Sequence, residues 1–249
     1  MMLFQQPPPT RYDLRFSIAG IPVSVHPLFW LIALLLGSTG DILLVPIWVL
    51  VIFVSILVHE LGHALAFRRF GQRSQIVLHF AGGLTIPEPV YWGRGVANVA
   101  LTPNQQIFVS LAGPGAGFLL SALVIILILV TGGSIVTTWL LGFIPLPLPA
   151  ALPFGGRILN VIVTLLLYVN VFWGLINLVP VYPLDGGNVT RYALLQADPA
   201  DGIRKSLWVS VIAGGIVAFV GLLFLRSIFM GLMFWLLAFQ SYQSLQRRF

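Results

Sequence analysis

The chain has 249 residues, of which 58% are hydrophobic and only 8% charged, against about 25% charged in a soluble globular domain. Thirteen Lys+Arg and seven Asp+Glu cannot coat a water-facing surface, so the composition excludes a soluble enzyme and places the chain in a lipid bilayer. The net charge of +6 does not point to nucleic acid, because the basic residues fall in short groups between apolar runs and read as topology determinants.

Met1 to Tyr12 is proline-rich and lacks the pattern of a signal peptide, so insertion is expected to rely on the spans themselves. Crossing about 30 Å of hydrocarbon takes about 20 helical residues. Six apolar runs come near that length: Ile21 to Ser38, Ile42 to Phe67, Gln105 to Val130, Ile158 to Leu178, Leu207 to Leu225 and Ser227 to Tyr242. A further stretch, Ile135 to Phe154, holds Pro145, Pro147, Pro149 and Pro153, too many helix breakers for a span. It reads as a re-entrant or interfacial loop.

Six spans place both termini on one side. Arg11, Arg15, Arg68, Arg69, Arg73, Arg94, Arg191, Arg204, Lys205, Arg247 and Arg248 then share a face, leaving Arg157 and Arg226 opposite. By the positive-inside bias that face is cytoplasmic. Between the second and third spans, Gln75 to Phe80 is β-prone and Gly82-Gly83 supplies a turn signal. The expected fold is an all-α polytopic membrane protein of six transmembrane helices, with a small β-sheet between the second and third spans. With no repeat and no composition shift, residues 1–249 read as a single domain.

The chemistry is concentrated in the second span, where His59-Glu60-Leu61-Gly62-His63 forms an H-E-x-x-H motif. Its i, i+4 spacing puts both imidazoles on one helix face as a pair of zinc ligands. Glu60 sits beside them, where in metalloproteases it takes a proton from the attacking water and passes it to the leaving amine. An ionisable side chain inside a span costs several kcal/mol on most scales, so three within five residues need a compensating role. A polar cluster gluing helices together would require neither this spacing nor this trio.

A catalytic zinc takes three protein ligands and keeps a fourth position open, and with no cysteine in the chain the third must be His, Asp or Glu. His26, His79 and Asp185 are the candidates. Asp185 is preferred, because Pro180 and Pro183 break the helix after the fourth span and Gly186-Gly187 allow a tight turn. His26 and His79 read instead as local hydrogen-bonding residues. His59 lies nine residues before Arg68, about 13 Å of helix, so both motifs approach the cytoplasmic side.

These residues make the sequence similar to the site-2 protease family of intramembrane metalloproteases. The resemblance spans nearly the whole chain. It rests on His59-Glu60-Leu-Gly-His63 in the second span and on Asn177-x-x-Pro180 followed by Leu184-Asp185-Gly186-Gly187. Gly20-Ile-Pro-Val, Gly82-Gly83 and Ala112-Gly113-Pro114 add to it.

The resemblance implies one zinc per chain held by His59, His63 and Asp185, with Glu60 as general base. It also places the amide of Asn177 beside the active site as a candidate substrate or oxyanion contact. The alternative for Asn177 is an interhelical hydrogen bond, which is the favoured reading of Asn170. The implied substrate is a single-span or membrane-tethered protein, cut near the cytoplasmic face; if the source is a prokaryote, the expected location is the cell (inner) membrane.

One departure from the family pattern is Asn188, where many members carry Arg directly after the two glycines. The length leaves no room for a PDZ insert or a CBS tail. The glycines of Ala112 to Gly117 read as close helix packing or a kink. Gln75 to Leu84, closed by Gly82-Gly83, is expected to form an edge strand that pairs with an unwound substrate and holds its scissile carbonyl near zinc. Two rival functions have less support. A metal transporter would show repeated halves and broken helices in both, and a silent scaffold would tolerate loss of Glu60.

Overall fold

The computed structural model describes residues 8–37, 42–88, 90–92, 95–97, 101–140 and 144–248. Met1 to Pro7, Ser38 and Arg94, all used in the sequence reading, lie outside them. Contacts divide the chain into two compact units, residues 1–99 with 112–174, and residues 100–111 with 175–249.

The first unit opens with a hairpin of β1 (Leu14–Ile18) and β2 (Ile21–Val25), turned at Ala19 and Gly20. Both turn residues have positive φ, 49° and 77°, as a two-residue hairpin turn matched to strand twist requires. Helix α1 (Pro27–Leu36) follows, its first turn capped by His26, whose Nδ1 accepts the Leu28 N–H at 3.2 Å. A short 3-10 turn, Ile42–Leu44, leads into α2 (Val45–Arg69).

Helix α2 is an apolar run with Pro at its first turn and Arg68 and Arg69 in its last, where cations complement the helix dipole. It ends in a Schellman turn. Gly71, at φ +76°, donates to the Arg68 carbonyl, and Gln72 donates to that of Phe67. That reversal sends the chain straight into β3 (Ser74–His79) and β4 (Gly82–Pro87). The sheet order is β1-β2-β3-β4, with β2 and β3 parallel and the outer pairs antiparallel. Ile21, Val23 and Val25 of β2 and Ile76 and Leu78 of β3 form one core with Ile56, Leu57 and Ala64 of α2.

A two-stranded ribbon of β5 (Val90–Trp92) and β6 (Gly95–Ala97) precedes α3 (Pro103–Val130), which carries Pro114 in its interior. Next come β7 (Ser134–Leu140), β8 (Ile144–Ala151) and α4 (Gly156–Asn177). In the second unit, residues 178–184 interrupt the helical path before α5 (Asp185–Ala197), α6 (Gly202–Leu223) and α7 (Ile228–Arg248). On α6 the small residues Ser206, Ser210, Gly214, Ala218 and Gly221 are buried in a stripe. A Cβ on Gly214 would stand 3.0 Å from that of Ala238 on α7, so the two backbones approach as closely as small residues permit.

Among the described residues, five helices are long and apolar enough to cross a membrane: Ile42–Arg69, Pro103–Val130, Gly156–Asn177, Gly202–Leu223 and Ile228–Arg247. The expected first span, Ile21 to Ser38, is not one helix. Its start is strand β2, recruited by β3, and α1 has only 10 residues, about 15 Å. The sheet is accordingly larger than expected and draws half its strands from ahead of the second span.

Two hydrogen bonds fix how this segment runs. Arg68, near the end of α2, donates to the Ala19 carbonyl at 2.8 Å, and Trp48, near its start, donates through Nε1 to the Ala33 carbonyl at 3.1 Å. Residues 19–33 therefore run back along 20 residues of α2, about 30 Å of helix.

The proline-rich stretch is also not a loop. It is the β7–β8 hairpin, in which Pro145, Pro147 and Pro149 face Trp139, Thr137 and Ile135. The prolines alternate along β8 and so share one pleat. All can sit where no ladder N–H is required, which a two-stranded sheet with two edges permits.

Candidate metal centre

The donors of the first unit come from α2. His59, Glu60 and His63 are 5%, 5% and 8% exposed, and their ligating atoms lie within 4.8 Å of one another. One helical turn brings the two Nε2 atoms to 3.2 Å, with the rings edge-on at 80°. A tetrahedral zinc with Zn–N bonds of about 2.0–2.1 Å needs its nitrogens about 3.3 Å apart. The pair fits that demand, and two buried imidazoles with a carboxylate alongside are a zinc donor set.

Three neighbours shape this face. Helix α3 approaches so closely that a Cβ on Gly62 would lie 2.3 Å from the Ala112 carbonyl, and one on Gly113 would lie 2.2 Å from His63 Nε2. Strand β4 covers Glu60. A Cβ on Gly83 would lie 2.4 Å from both Cγ and Oε1 of that side chain, while Thr85 donates its hydroxyl to Glu60 Oε2 at 2.6 Å. From α4, Asn170 donates to Ser55 Oγ of α2 at 2.9 Å, an interhelical bond and not a ligand contact. Gly82, at φ +118°, has room that only a glycine backbone uses well; a Cβ there would meet only Trp173, at 3.6 Å.

In the second unit, Asp185 is the first residue of α5, not part of a non-helical loop. The interruption expected from Pro180 and Pro183 ends just before it. The two glycines that follow serve close approach more than flexibility. A Cβ on Gly186 would strike the Leu178 carbonyl at 2.1 Å, and one on Gly187 the Tyr182 nitrogen at 2.4 Å. Further bonds anchor this corner: Ser210 on α6 accepts the Tyr182 N–H at 3.0 Å, and Asn188 donates to the Pro183 carbonyl at 3.2 Å. Arg191 lies over the Tyr182 ring at 5.4 Å. Asn177 is the last residue of α4 and is 8% exposed.

The two remaining histidines are engaged locally. His26 caps α1, and His79 accepts the Ala81 N–H through Nδ1 at 3.3 Å. Burial holds the His79 imidazole below the usual histidine range. Gly113 and Thr85 are the contacts that sequence reasoning missed. Gly113 lay in a glycine run with several candidate roles, and the one signal for Thr85 was its position two residues after Gly83 in a strand, on the same face.

A histidine pair and a glutamate buried on a helix of membrane-crossing length and apolarity form a candidate metal centre of the kind membrane-embedded metalloproteins carry. More narrowly, the chain belongs to peptidase family M50, whose family model matches residues 47–218. A zinc metalloprotease of Methanocaldococcus jannaschii is 26% identical over 88% of this chain and 58% of its own length. A Synechocystis protein is 33% identical over 72% of this chain and 43% of its own length. Rip3 of Mycobacterium tuberculosis is 29% identical over 82% and 48%. Both are designated zinc metalloproteases provisionally. The chain thus spans about half the length of the curated relatives it matches.

The solved structure of a site-2 protease from Methanocaldococcus jannaschii has the same fold. Its TM-score is 0.54 at 24% identity, covering 94% of this chain and 95% of that one. With its apolar helices, the family relationship makes this an integral membrane protein with a zinc donor set.

Proposed function

We propose that the chain is an intramembrane zinc endopeptidase that cuts single-span or membrane-tethered proteins near the cytoplasmic face. The observation that carries this reading is the 3.2 Å approach of His59 and His63 Nε2 beside Glu60, buried on an apolar helix. In this reading residues 1–249 work as one catalytic domain with one zinc, held by His59, His63 and Asp185. When bound, the metal supplies Lewis-acid polarisation of water and of the scissile carbonyl.

The rest is the work of the chain. Glu60 accepts a proton from the attacking water and delivers it to the leaving nitrogen. Asn177 donates its amide to the oxygen that gains charge as the carbonyl is attacked. The substrate must unwind first, since a transmembrane helix hides its amides in its own hydrogen bonds, and the freed groups need partners. Strand β4 can offer them. It ends the sheet order, whereas β3 is flanked on both sides, so the pairing edge is Gly82–Pro87 and not the whole of Gln75 to Leu84. Gly82 and Gly83 then lie at the contact.

For the topology, we propose six crossings with both termini cytoplasmic. The first would be made by β2 and α1 together, supported by the bonds to Arg68 and Trp48 and by the clustering of basic residues.

Purified protein in detergent, with metal analysis and a single-span substrate, tests the reading. Glu60→Gln should retain about one zinc per chain while losing at least about a hundredfold in hydrolysis, because an amide cannot accept the proton. Asp185→Ala should lose zinc. Undiminished turnover in Glu60→Gln removes the general-base role, and full zinc in Asp185→Ala removes Asp185 from the ligand set. Zinc flux in proteoliposomes that survives Glu60→Gln, without any cleavage, would instead identify a transporter.

A further inference from the structure

Glu60 is a long side chain, and a general base works only if its carboxylate is held where the reacting proton will be. The hold comes from β4, where Gly83 and Thr85 project on the same face of the strand. Gly83 leaves the space that the carboxylate occupies, since any Cβ there would overlap Cγ and Oε1. Thr85 Oγ1 then stands 2.6 Å from Oε2 and 3.1 Å from the Glu60 backbone carbonyl.

The Thr85 hydroxyl is itself well fixed. Thr85 pairs with Ile76, which is fully buried in the interior strand β3, and a β-branched side chain is stiff at χ1.

We propose that Thr85 is a positioning residue for Glu60. Its O–H donates to Oε2, pins the carboxylate over β4, and leaves Oε1 as the oxygen that receives the proton. The inference rests on the general-base reading of Glu60 above. It concerns a residue that acts only through Glu60, to which its hydroxyl is bonded, and it makes the sheet part of the machinery in a second way besides pairing with substrate.

The test compares Thr85→Val, which keeps shape and β-propensity but lacks the hydroxyl, with Thr85→Ser, which restores it. Zinc content and steady-state cleavage of a single-span substrate are measured for both, beside Glu60→Gln. Thr85→Val should lower kcat by about tenfold to a hundredfold with KM within about twofold. Its zinc content should match the parent, and Thr85→Ser should recover kcat to within about threefold.

A second readout needs no activity. In the metal-free protein, thermal unfolding of Thr85→Val, Glu60→Ala and the double variant should be non-additive. The shift of the double variant should fall short of the sum of the two single shifts, because in Glu60→Ala the hydroxyl keeps only the backbone carbonyl of residue 60 as a partner. Unchanged kcat in Thr85→Val, equal losses in Val and Ser, loss of zinc, or additive unfolding shifts would each overturn the proposal. The two ideas also separate cleanly. Inactive Glu60→Gln with fully active Thr85→Val removes only the positioning role, whereas active Glu60→Gln removes the base and the positioning role with it.

Discussion

Gly113 shows how much a single missing methyl group decides. Its position on α3 faces the His63 imidazole, and a Cβ would sit 2.2 Å from Nε2, so the ring would have to turn away from His59. Gly115, two residues on, has nothing within 4 Å of such an atom. Gly113→Ala should therefore weaken zinc binding by about tenfold to a hundredfold, the usual cost of disturbing a group that orients a ligand. Gly115→Ala should leave zinc content unchanged, and metal analysis after dialysis against a weak chelator distinguishes them. The sequence made both glycines visible as a packing motif. Which one touches His63 depends on the rotation of α3 about its own axis, and that is set by partners far away in the chain.

Among the described elements, β4 is the strand that packs on Glu60. Its inner face holds Glu60 through Gly83 and Thr85, and its outer edge is the end of the sheet. If that edge captures unwound substrate, cleavage should depend on how readily the substrate helix opens. Replacing two residues near the cytoplasmic end of a substrate span by Gly should speed cleavage, and replacing them by Leu should slow it. Each Gly costs a helix about 1 kcal/mol, so two shift the opening equilibrium by about tenfold or more. Rates indifferent to these changes would exclude strand pairing. A proline at Val77 would be a poor probe of that pairing, because β3 is an interior strand and would lose a ladder bond. The β-propensity of residues 75–80 was legible, but the partners were not. Nothing local in Ile21 to Val25 distinguishes a strand from the start of a span, since a buried strand and an apolar helix use the same residues.

At the scale of the whole molecule, the clustering of basic residues predicts which side of the bilayer each end faces. The chain has no cysteine, so single cysteines report sidedness without background. One placed beside Arg247 and one beside Arg15 should react with a membrane-impermeant maleimide only from the cytoplasmic side, and one beside Arg157 only from the other. Labelling of the Arg15 and Arg247 sites from opposite sides would mean an odd number of crossings, and β2 with α1 would not then count as one. The hydrogen bonds of Arg68 to Ala19 and of Trp48 to Ala33 argue that they do, because their spacing along α2 equals about the hydrocarbon thickness.

Composition alone determined that the protein lives in a membrane, since no folding can hide so much apolar surface from water. The i, i+4 periodicity of an α-helix alone determined that His59 and His63 converge with Glu60 beside them. Both follow from rules that act within a few residues or over the whole average. The tertiary structure decided what depends on distant pairing. It turned the first apolar run into a strand and a short helix because β3 was available to pair with it. At shorter range it folded the proline-rich stretch back on itself as the β7–β8 hairpin. It also brought Gly113 and Thr85 to the donors, for contacts between residues 25 or more positions apart are chosen by packing, and no local spacing encodes them.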